Sequence, residues 1–329
     1  MLNKASIYIG LLLLPVVVAQ AGQQNSQIQY WLEKMHSSAH MLNYEGVFVY
    51  GQHNQLSSMK IIHSVDKKGE RERLISLDGD GREVIRDNKK VTCYLPDKKS
   101  VLVEMKRADS QVPPRFPMSL TELEQNYTLS LAGKGTVAGY STQKINIQPK
   151  DNLRYGYRLW IEEETGLLLK THLLVNKDES VEQFMFTHLV FHDFIPEKLL
   201  QPERDGSQFI AHEMEPVDKA DTAQPMHKEN WQVSRSPSGF KQDVQRMTHL
   251  SKNAMPVEHL VLTDGLATVS VFIEEKLDSK DNLQGGSHMG AVHAFGRLLD
   301  NHHVTVVGEV PFRTVKMIAE SVKTTPPHD

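Results

Sequence analysis

Residues 44–50 read Tyr44-Glu45-Gly46-Val47-Phe48-Val49-Tyr50, a run of β-branched and aromatic side chains that is typical of a β-strand. Five similar runs follow it, and turn signals such as Asp78-Gly79-Asp80-Gly81 and Pro96-Asp97 separate them. Strands that are joined by such short turns pair with their neighbours along the chain. The sequence therefore predicts a meander of antiparallel strands at residues 44–50, 60–65, 72–77, 83–86, 91–95 and 101–105.

A second group of strand-like runs begins at Tyr127 and ends at Phe194. Two helical segments accompany the strands, an amphipathic one at residues 26–42 and a short capped one at residues 119–125. This order of elements indicates an α+β fold for residues 22–200. We expect a curved antiparallel sheet or incomplete β-barrel with helices in its mouth.

An incomplete barrel whose mouth is covered by helices is a common place for an apolar cavity. The sequence leaves open whether Tyr44, Phe48 and Tyr50 or the alternate residues Val47 and Val49 face inward, and we favour the aromatic set. A fully packed interior without a ligand fits the same periodicity. The candidate residues for an apolar ligand site are Tyr44, Phe48, Tyr50, Phe116, Tyr157 and Trp160.

The polar stretch 201–230 has little periodicity, which predicts a linker between two cores. Residues 231–322 beyond it are expected to form a small C-terminal α+β domain. Its predicted elements are a hairpin at 259–273 around Asp264-Gly265, strands at 289–297 and 304–307, and a helix at 312–322 that Pro311 opens.

The stretch 289–297, Met-Gly-Ala-Val-His-Ala-Phe-Gly-Arg, is rich in glycine, carries few charges and follows a polar loop. It fits an interior strand, and it equally fits an exposed edge or groove that receives a segment of a partner protein. The candidate residues for partner binding are Met289, Ala291, His293, Phe295 and Arg297.

The first 21 residues have the three parts of a secretory signal: a basic start at Lys4, an apolar stretch over residues 7–18 and the cleavage site Ala19-Gln20-Ala21. The apolar stretch is interrupted by Pro15 and is shorter than the ~20 residues that span a bilayer. We therefore expect an exported, soluble chain that is cleaved near Ala21. Cys93 is the only cysteine, which excludes an intramolecular disulfide.

The composition is that of an ordinary globular protein, with 39% hydrophobic and 24% charged residues among 329. A net charge of −4 without a basic stripe argues against nucleic acid as a partner. The sequence contains no nucleophile elbow, P-loop, H-E-x-x-H or C-x-x-C motif. His188 with His192, and His302 with His303, lack the partners of a metal site. We expect no enzyme activity, metal or cofactor.

Several of these motifs together resemble the RseB/MucB family. They are the strand 44–50, Arg71-Glu72-Arg73-Leu74-Ile75-Ser76-Leu77-Asp78-Gly79, Leu262-Thr263-Asp264-Gly265-Leu266-Ala267, residues 290–297 and residues 304–311. The likeness runs in order through nearly all of the chain after residue 21.

The resemblance implies a periplasmic negative regulator of the sigma-E (AlgU-type) envelope-stress response. It implies an N-terminal domain similar to the lipoprotein carriers LolA and LolB, and binding to the periplasmic domain of the anti-sigma factor RseA or MucA. Binding would shield that partner from the site-1 protease DegS, and acyl-chain ligands such as mislocalised lipopolysaccharide or lipoprotein would release it. A periplasmic carrier of lipoprotein or lipid is the alternative, and the sequence leaves open whether the chain forms a homodimer.

Overall fold

The structure is a computed structural model in which two large, mainly antiparallel sheets follow one another along the chain. It describes residues 16–52, 55–79, 81–88, 90–95, 100–105, 120–177, 179–203, 210–214, 230–249, 256–275 and 283–325.

The first sheet contains twelve strands within the described residues, in the order β12-β6-β5-β4-β3-β2-β1-β11-β10-β9-β8-β7. All of the pairings are antiparallel except that of β12 with β6. The α+β class and the antiparallel meander are thereby confirmed. The strands are β1 (Asn43–Gln52), β2 (Gln55–Asp66), β3 (Gly69–Ser76), β4 (Glu83–Asp87), β5 (Lys90–Leu95), β6 (Ser100–Met105), β7 (Tyr127–Val137), β8 (Tyr140–Pro149), β9 (Gly156–Glu162), β10 (Leu168–Leu174), β11 (Ser180–His192) and β12 (Ile210–Met214).

Two helices, α1 (Val16–Met41) and α2 (Leu120–Asn126), pack on the half of this sheet formed by β7 to β10. The α1 side chains Ile28, Leu32 and Met35 recur at helical spacing, and each is at most 4% exposed. They meet buried residues of the strands in one apolar cluster, which contains Ile145, Ile147, Leu159 and Ile161. Among the described residues, we find no helix that is both long and apolar enough to span a membrane.

A second apolar cluster of the first sheet is aromatic and lies around β1 and β11. Phe48 lies against Phe184 and Phe186 with ring centroids 5.0 and 6.0 Å apart. Gly46 makes this packing possible, because a Cβ at that position would lie 2.7 Å from the Phe186 ring. A side chain at position 46 would therefore displace the Phe186 ring.

The second sheet has the order β14-β15-β16-β19-β18-β17 and carries α3 on one side. The α3 residues Val315, Ile318 and Ala319 are fully buried against it, as the helical spacing predicts. The elements are β13 (Asn230–Val233), β14 (Lys241–His249), β15 (Pro256–Thr263), β16 (Thr268–Glu275), β17 (Gly285–Met289), β18 (Val292–Leu299), β19 (His302–Gly308), α3 (Phe312–Ser321) and β20 (Val322–Thr325), where β13 and β20 form a separate pair.

Two local predictions differ from the structure. The stretch 289–297 is not one strand: it turns at Gly290-Ala291, so that β17 and β18 form a hairpin. Gly290 has φ +63°, a value that favours glycine and that periodicity does not reveal. The predicted linker 201–230 contains the strand β12, which adds to β6 in parallel. Such an edge addition is decided by a distant partner strand and has no local signature.

Candidate functional site

The two sheets meet along a polar contact that we call the seam. Its centre is an ion pair between Arg154, which precedes β9, and Asp264, which lies in the β15–β16 turn. Neither side chain is exposed, and Tyr127 donates a hydrogen bond of 2.9 Å to the same Asp264 oxygen. The Arg154 guanidinium also donates to the Ser238 carbonyl at 2.7 Å. A buried charge is tolerated only when it is paired and hydrogen-bonded, and both conditions hold here.

The sequence positions Asp264 through the turn in which it lies. Its Oδ1 accepts hydrogen bonds from the backbone N–H groups of Leu266 and Ala267, at 3.0 and 2.8 Å. That leaves Oδ2 for Arg154 and Tyr127. The sequence predicts only a turn at Asp264-Gly265, whereas in the structure Asp264 also joins the two sheets.

A second part of the seam surrounds Glu182 on β11. Its carboxylate accepts hydrogen bonds from the Tyr50 hydroxyl, from Gln52 Nε2 at 2.6 Å and from the backbone N–H of Ala291 at 3.1 Å. Tyr50 and Gln52 belong to β1, whereas Ala291 belongs to the β17–β18 turn of the second sheet. Ala291 itself is fully buried within the apolar cluster beneath α1.

Glu309, in the loop between β19 and α3, is partly buried. Burial, followed by the neighbouring Glu182 charge, raises the pKa of Glu309 to about 7. Burial likewise raises the pKa of Tyr155 to about 12 and that of Tyr157 well above its usual range. These phenols therefore remain hydrogen-bond donors at neutral pH.

Two more contacts between the two parts of the chain lie near α3. Thr314, which is fully buried, donates its hydroxyl to the Leu153 carbonyl at 2.7 Å. His293 Nδ1 lies 2.9 Å from the Val310 carbonyl and 3.4 Å from the Tyr155 hydroxyl. Because a carbonyl only accepts, Nδ1 carries the proton in the contact with Val310.

Comparison with known proteins shows the family. The model of the MucB/RseB N-terminal domain matches residues 27–204, and the model of the MucB/RseB C-terminal domain matches residues 225–323. The chain belongs to the MucB/RseB family. The sequence resemblance to that family is thereby confirmed.

Several relatives and solved structures match this chain over most of its length and of theirs. The sigma factor AlgU regulatory protein MucB of Pseudomonas aeruginosa is 31% identical over 318 residues, which cover 95% of this chain and 96% of that protein. The sigma-E factor regulatory protein RseB of Haemophilus influenzae is 25% identical, with coverage of 89% and 90%. A solved complex of P. aeruginosa MucA and MucB matches with a TM-score of 0.69 and 28% identity, over 91% of this chain and 99% of that one.

The five described residues of the set predicted for an apolar ligand lie in three different places. Tyr44 and Phe48 are buried in the aromatic cluster, and Trp160 packs against its margin. Tyr157 belongs to the other cluster, beneath α1, and Tyr50 binds Glu182 at the seam. Phe116 lies outside the described residues. A groove between α1 and α2 is lined mostly by polar residues, namely Asn25, Ser26, Gln29, Leu120, Thr121 and Glu124.

The residues predicted for partner binding in this MucB/RseB chain are mostly engaged within the molecule. Met289 is 73% exposed, whereas Ala291 is buried at the seam. Arg297 donates to the carbonyls of Ala319 and Val322, at 2.8 and 3.0 Å. Phe295 and His293 contact the Phe312 ring. Residues 292–297 lie on β18, between β17 and β19, whereas Met289 ends β17, the last strand in the described order of this sheet.

Sequence reasoning missed the seam residues Arg154, Glu182 and Glu309. No motif marks them, because each is an ordinary charged residue whose partner lies far away in the chain. Within the part of the chain that the structure describes, we find no group of three or more His, Cys, Asp or Glu side chains able to hold a metal ion.

Proposed function

We propose that this chain is a negative regulator of an envelope-stress sigma factor and acts by binding the periplasmic domain of a MucA- or RseA-type anti-sigma factor. The observation that carries the proposal is the match, over 91% of the chain, to MucB solved together with MucA. The 31% identity to the AlgU regulatory protein supports the same role. In this reading the chain works in the periplasm after cleavage near Ala21, and it acts by binding, not by catalysis.

The consequence of binding is protection of the anti-sigma factor from a DegS-type site-1 protease. Acyl-chain ligands, such as lipopolysaccharide or lipoprotein, then release the partner. Because ligand and partner act on one molecule, linkage requires that each weakens the binding of the other by the same factor. A homodimer is compatible with this scheme and is tested by light scattering of the same sample.

The division into a domain at 22–200, a linker at 201–230 and a domain at 231–322 belongs to the proposal. The limits of the two family matches, at residues 204 and 225, support it. We propose that the anti-sigma factor contacts the C-terminal domain and that acyl chains enter the N-terminal one. The seam would then be the route by which the two sites influence each other.

The test is a calorimetric titration of residues 22–329 with the periplasmic segment of the anti-sigma factor from the same organism. Cleavage of that segment by its DegS-type protease is measured in parallel. We expect tight binding, at least tenfold slower cleavage and recovery of cleavage when lipopolysaccharide is added. Absence of binding, together with transfer of bound lipid to acceptor vesicles, would replace the regulator by a lipid carrier.

A further inference from the structure

Two turns of the second sheet cover one end of the apolar cluster beneath α1. Ala291, in the β17–β18 turn, is fully buried within that cluster, and Leu266, in the β15–β16 turn, packs against it. We propose that this end of the cluster is a binding site for a hydrocarbon chain, which enters only when the two turns leave. The inference rests on the proposed function and deepens its acyl-chain part by naming the place and the means of release.

The strand register places the β17–β18 turn on one row of residues across the first sheet. In that row Tyr157 of β9 lies opposite Leu173 of β10, and Leu173 lies opposite Glu182 of β11. Glu182 in turn lies opposite Gln52 of β1. Tyr157 and Leu173 belong to the apolar cluster, whereas Glu182 accepts the Ala291 N–H. The turn therefore lies where the apolar part of the row meets its polar end.

The apolar surface that the two turns contribute is small. Within the described part of the second sheet, the residues assigned to this cluster are one alanine and one leucine, Ala291 and Leu266. The hydrophobic effect is non-directional and depends on the apolar area removed from water. A hydrocarbon chain can therefore bury the same surfaces of the first sheet as these two side chains do.

The other contacts of the two turns are polar and can be exchanged for water. The Ala291 N–H donates to Glu182 at 3.1 Å, and Tyr127 donates at 2.9 Å to Asp264, which precedes Leu266 in its turn. Water satisfies such donors and acceptors once the turns leave, but it does not stabilise an uncovered apolar surface. A hydrocarbon chain stabilises that surface instead. Binding of the chain and closure of the seam at this end therefore exclude each other.

The β17–β18 turn also connects this site to the molecular surface. Met289 is 73% exposed, and Ala291, two residues later, is fully buried. A ligand that displaces Ala291 moves Met289 as well, and a partner that holds Met289 in place favours the closed turn. Linkage makes the two effects reciprocal, as release of a partner by an acyl chain requires.

The experiment fixes the β17–β18 turn to β1 with a disulfide and measures binding of a hydrocarbon probe. Gln52→Cys and Gly290→Cys are combined with Cys93→Ser in residues 22–329. A Cβ at position 290 would lie 2.6 Å from Gln52 Cγ, so the two cysteines adjoin. The probe is dodecanoic acid, titrated in a calorimeter. We expect the reduced chain to bind it at least tenfold more tightly than the oxidised chain, in which the turn cannot leave.

The chain that carries Cys93→Ser alone is the matched control, and its affinity for dodecanoic acid should be the same after oxidation and after reduction. A second measurement needs no disulfide. Asp264→Asn weakens the seam and should bind the probe more tightly than the parent chain. Glu320→Gln, at an exposed position of α3, should bind it like the parent chain.

Equal affinities of the oxidised and reduced chains overturn the proposed site, because the probe then binds elsewhere, and the release scheme is retained. Absence of binding in every chain overturns the site together with the acyl-chain part of the proposed function. Failure of the two cysteines to form a disulfide contradicts the docked turn and overturns the site as well. Each of these results leaves anti-sigma binding untouched, since no partner is present.

Discussion

Arg154 and Asp264 form an ion pair that connects the two sheets and from which solvent is completely excluded. The rings of Tyr127 and Phe240 lie 5.6 and 5.1 Å from the guanidinium, so the charge is enclosed by aromatic groups as well. A buried pair of this kind contributes little against an apolar replacement, but removing one partner is costly. The pair therefore fixes how the two sheets are placed, and stability is lost when only one of its partners is removed.

Asp264→Asn should lower the free energy of unfolding by about 1.5–3 kcal/mol, because Arg154 loses its buried carboxylate partner and keeps only the partly exposed Asp151. Urea unfolding of the full chain measures this change. Arg154→Met combined with Asp264→Leu should cost less than the sum of the two single changes. The control is Glu320→Gln, which breaks an exposed i,i+4 pair with Lys316 and should cost below ~0.5 kcal/mol. Equal losses in Asp264→Asn and Glu320→Gln would contradict the assigned role.

Gly290→Ala should lower the free energy of unfolding more than Gly139→Ala, a glycine substitution away from the seam. At Gly290, φ is +63° and an added Cβ would lie 1.7 Å from Gln52 Nε2, so Gln52 must leave Glu182. Gly139→Ala is the matched control, because its φ is +86° and nothing lies within 4 Å of the new Cβ. Both variants lose ~1–2 kcal/mol of unfolding free energy, because alanine is strained at a left-handed φ. Gly290→Ala should lose a further ~1.5–3 kcal/mol in urea unfolding, the loss of a hydrogen bond to a charged group.

His172→Gln should reduce the loss of unfolding free energy that accompanies acidification. Burial, followed by the Lys170 and Arg158 charges, lowers the pKa of His172 to about 4. In the unfolded chain the His172 imidazole is protonated below about pH 6.5, whereas in the folded chain it stays neutral down to about pH 4. The free energy of unfolding therefore decreases as the pH falls from 6.5 to 4. Thermal unfolding at pH 7 and pH 4.5 should show a loss about 1–2 kcal/mol smaller in the variant. His288→Gln, at an exposed position, should leave the loss as it is in the parent chain.

The parts of this fold that could be predicted from sequence are those that local chemistry decides. Alternation identifies β1, and helical spacing identifies α3, since both patterns lie within ten residues. The seam has no such pattern. Asp264 is separated by 110 residues from Arg154 and by 137 from Tyr127, so only the packing of the two sheets brings them together. The cavity prediction favours Tyr50 as part of the aromatic set that alternates along β1, whereas in the structure its hydroxyl binds Glu182 on a neighbouring strand.

Met289 is the residue of the predicted partner set that remains available on the surface. It is 73% exposed at the end of β17, directly before the turn that docks at the seam. Covering such a side chain contributes about 1.5–3 kcal/mol to binding, and a carboxylate in its place would have to be desolvated. Met289→Glu should therefore weaken binding of the anti-sigma segment at least tenfold in the calorimetric titration. Leu56→Glu on β2, which is 76% exposed, is the matched control and should bind like the parent chain. If Met289→Glu also binds like the parent chain, the contact surface lies away from the β17–β18 turn.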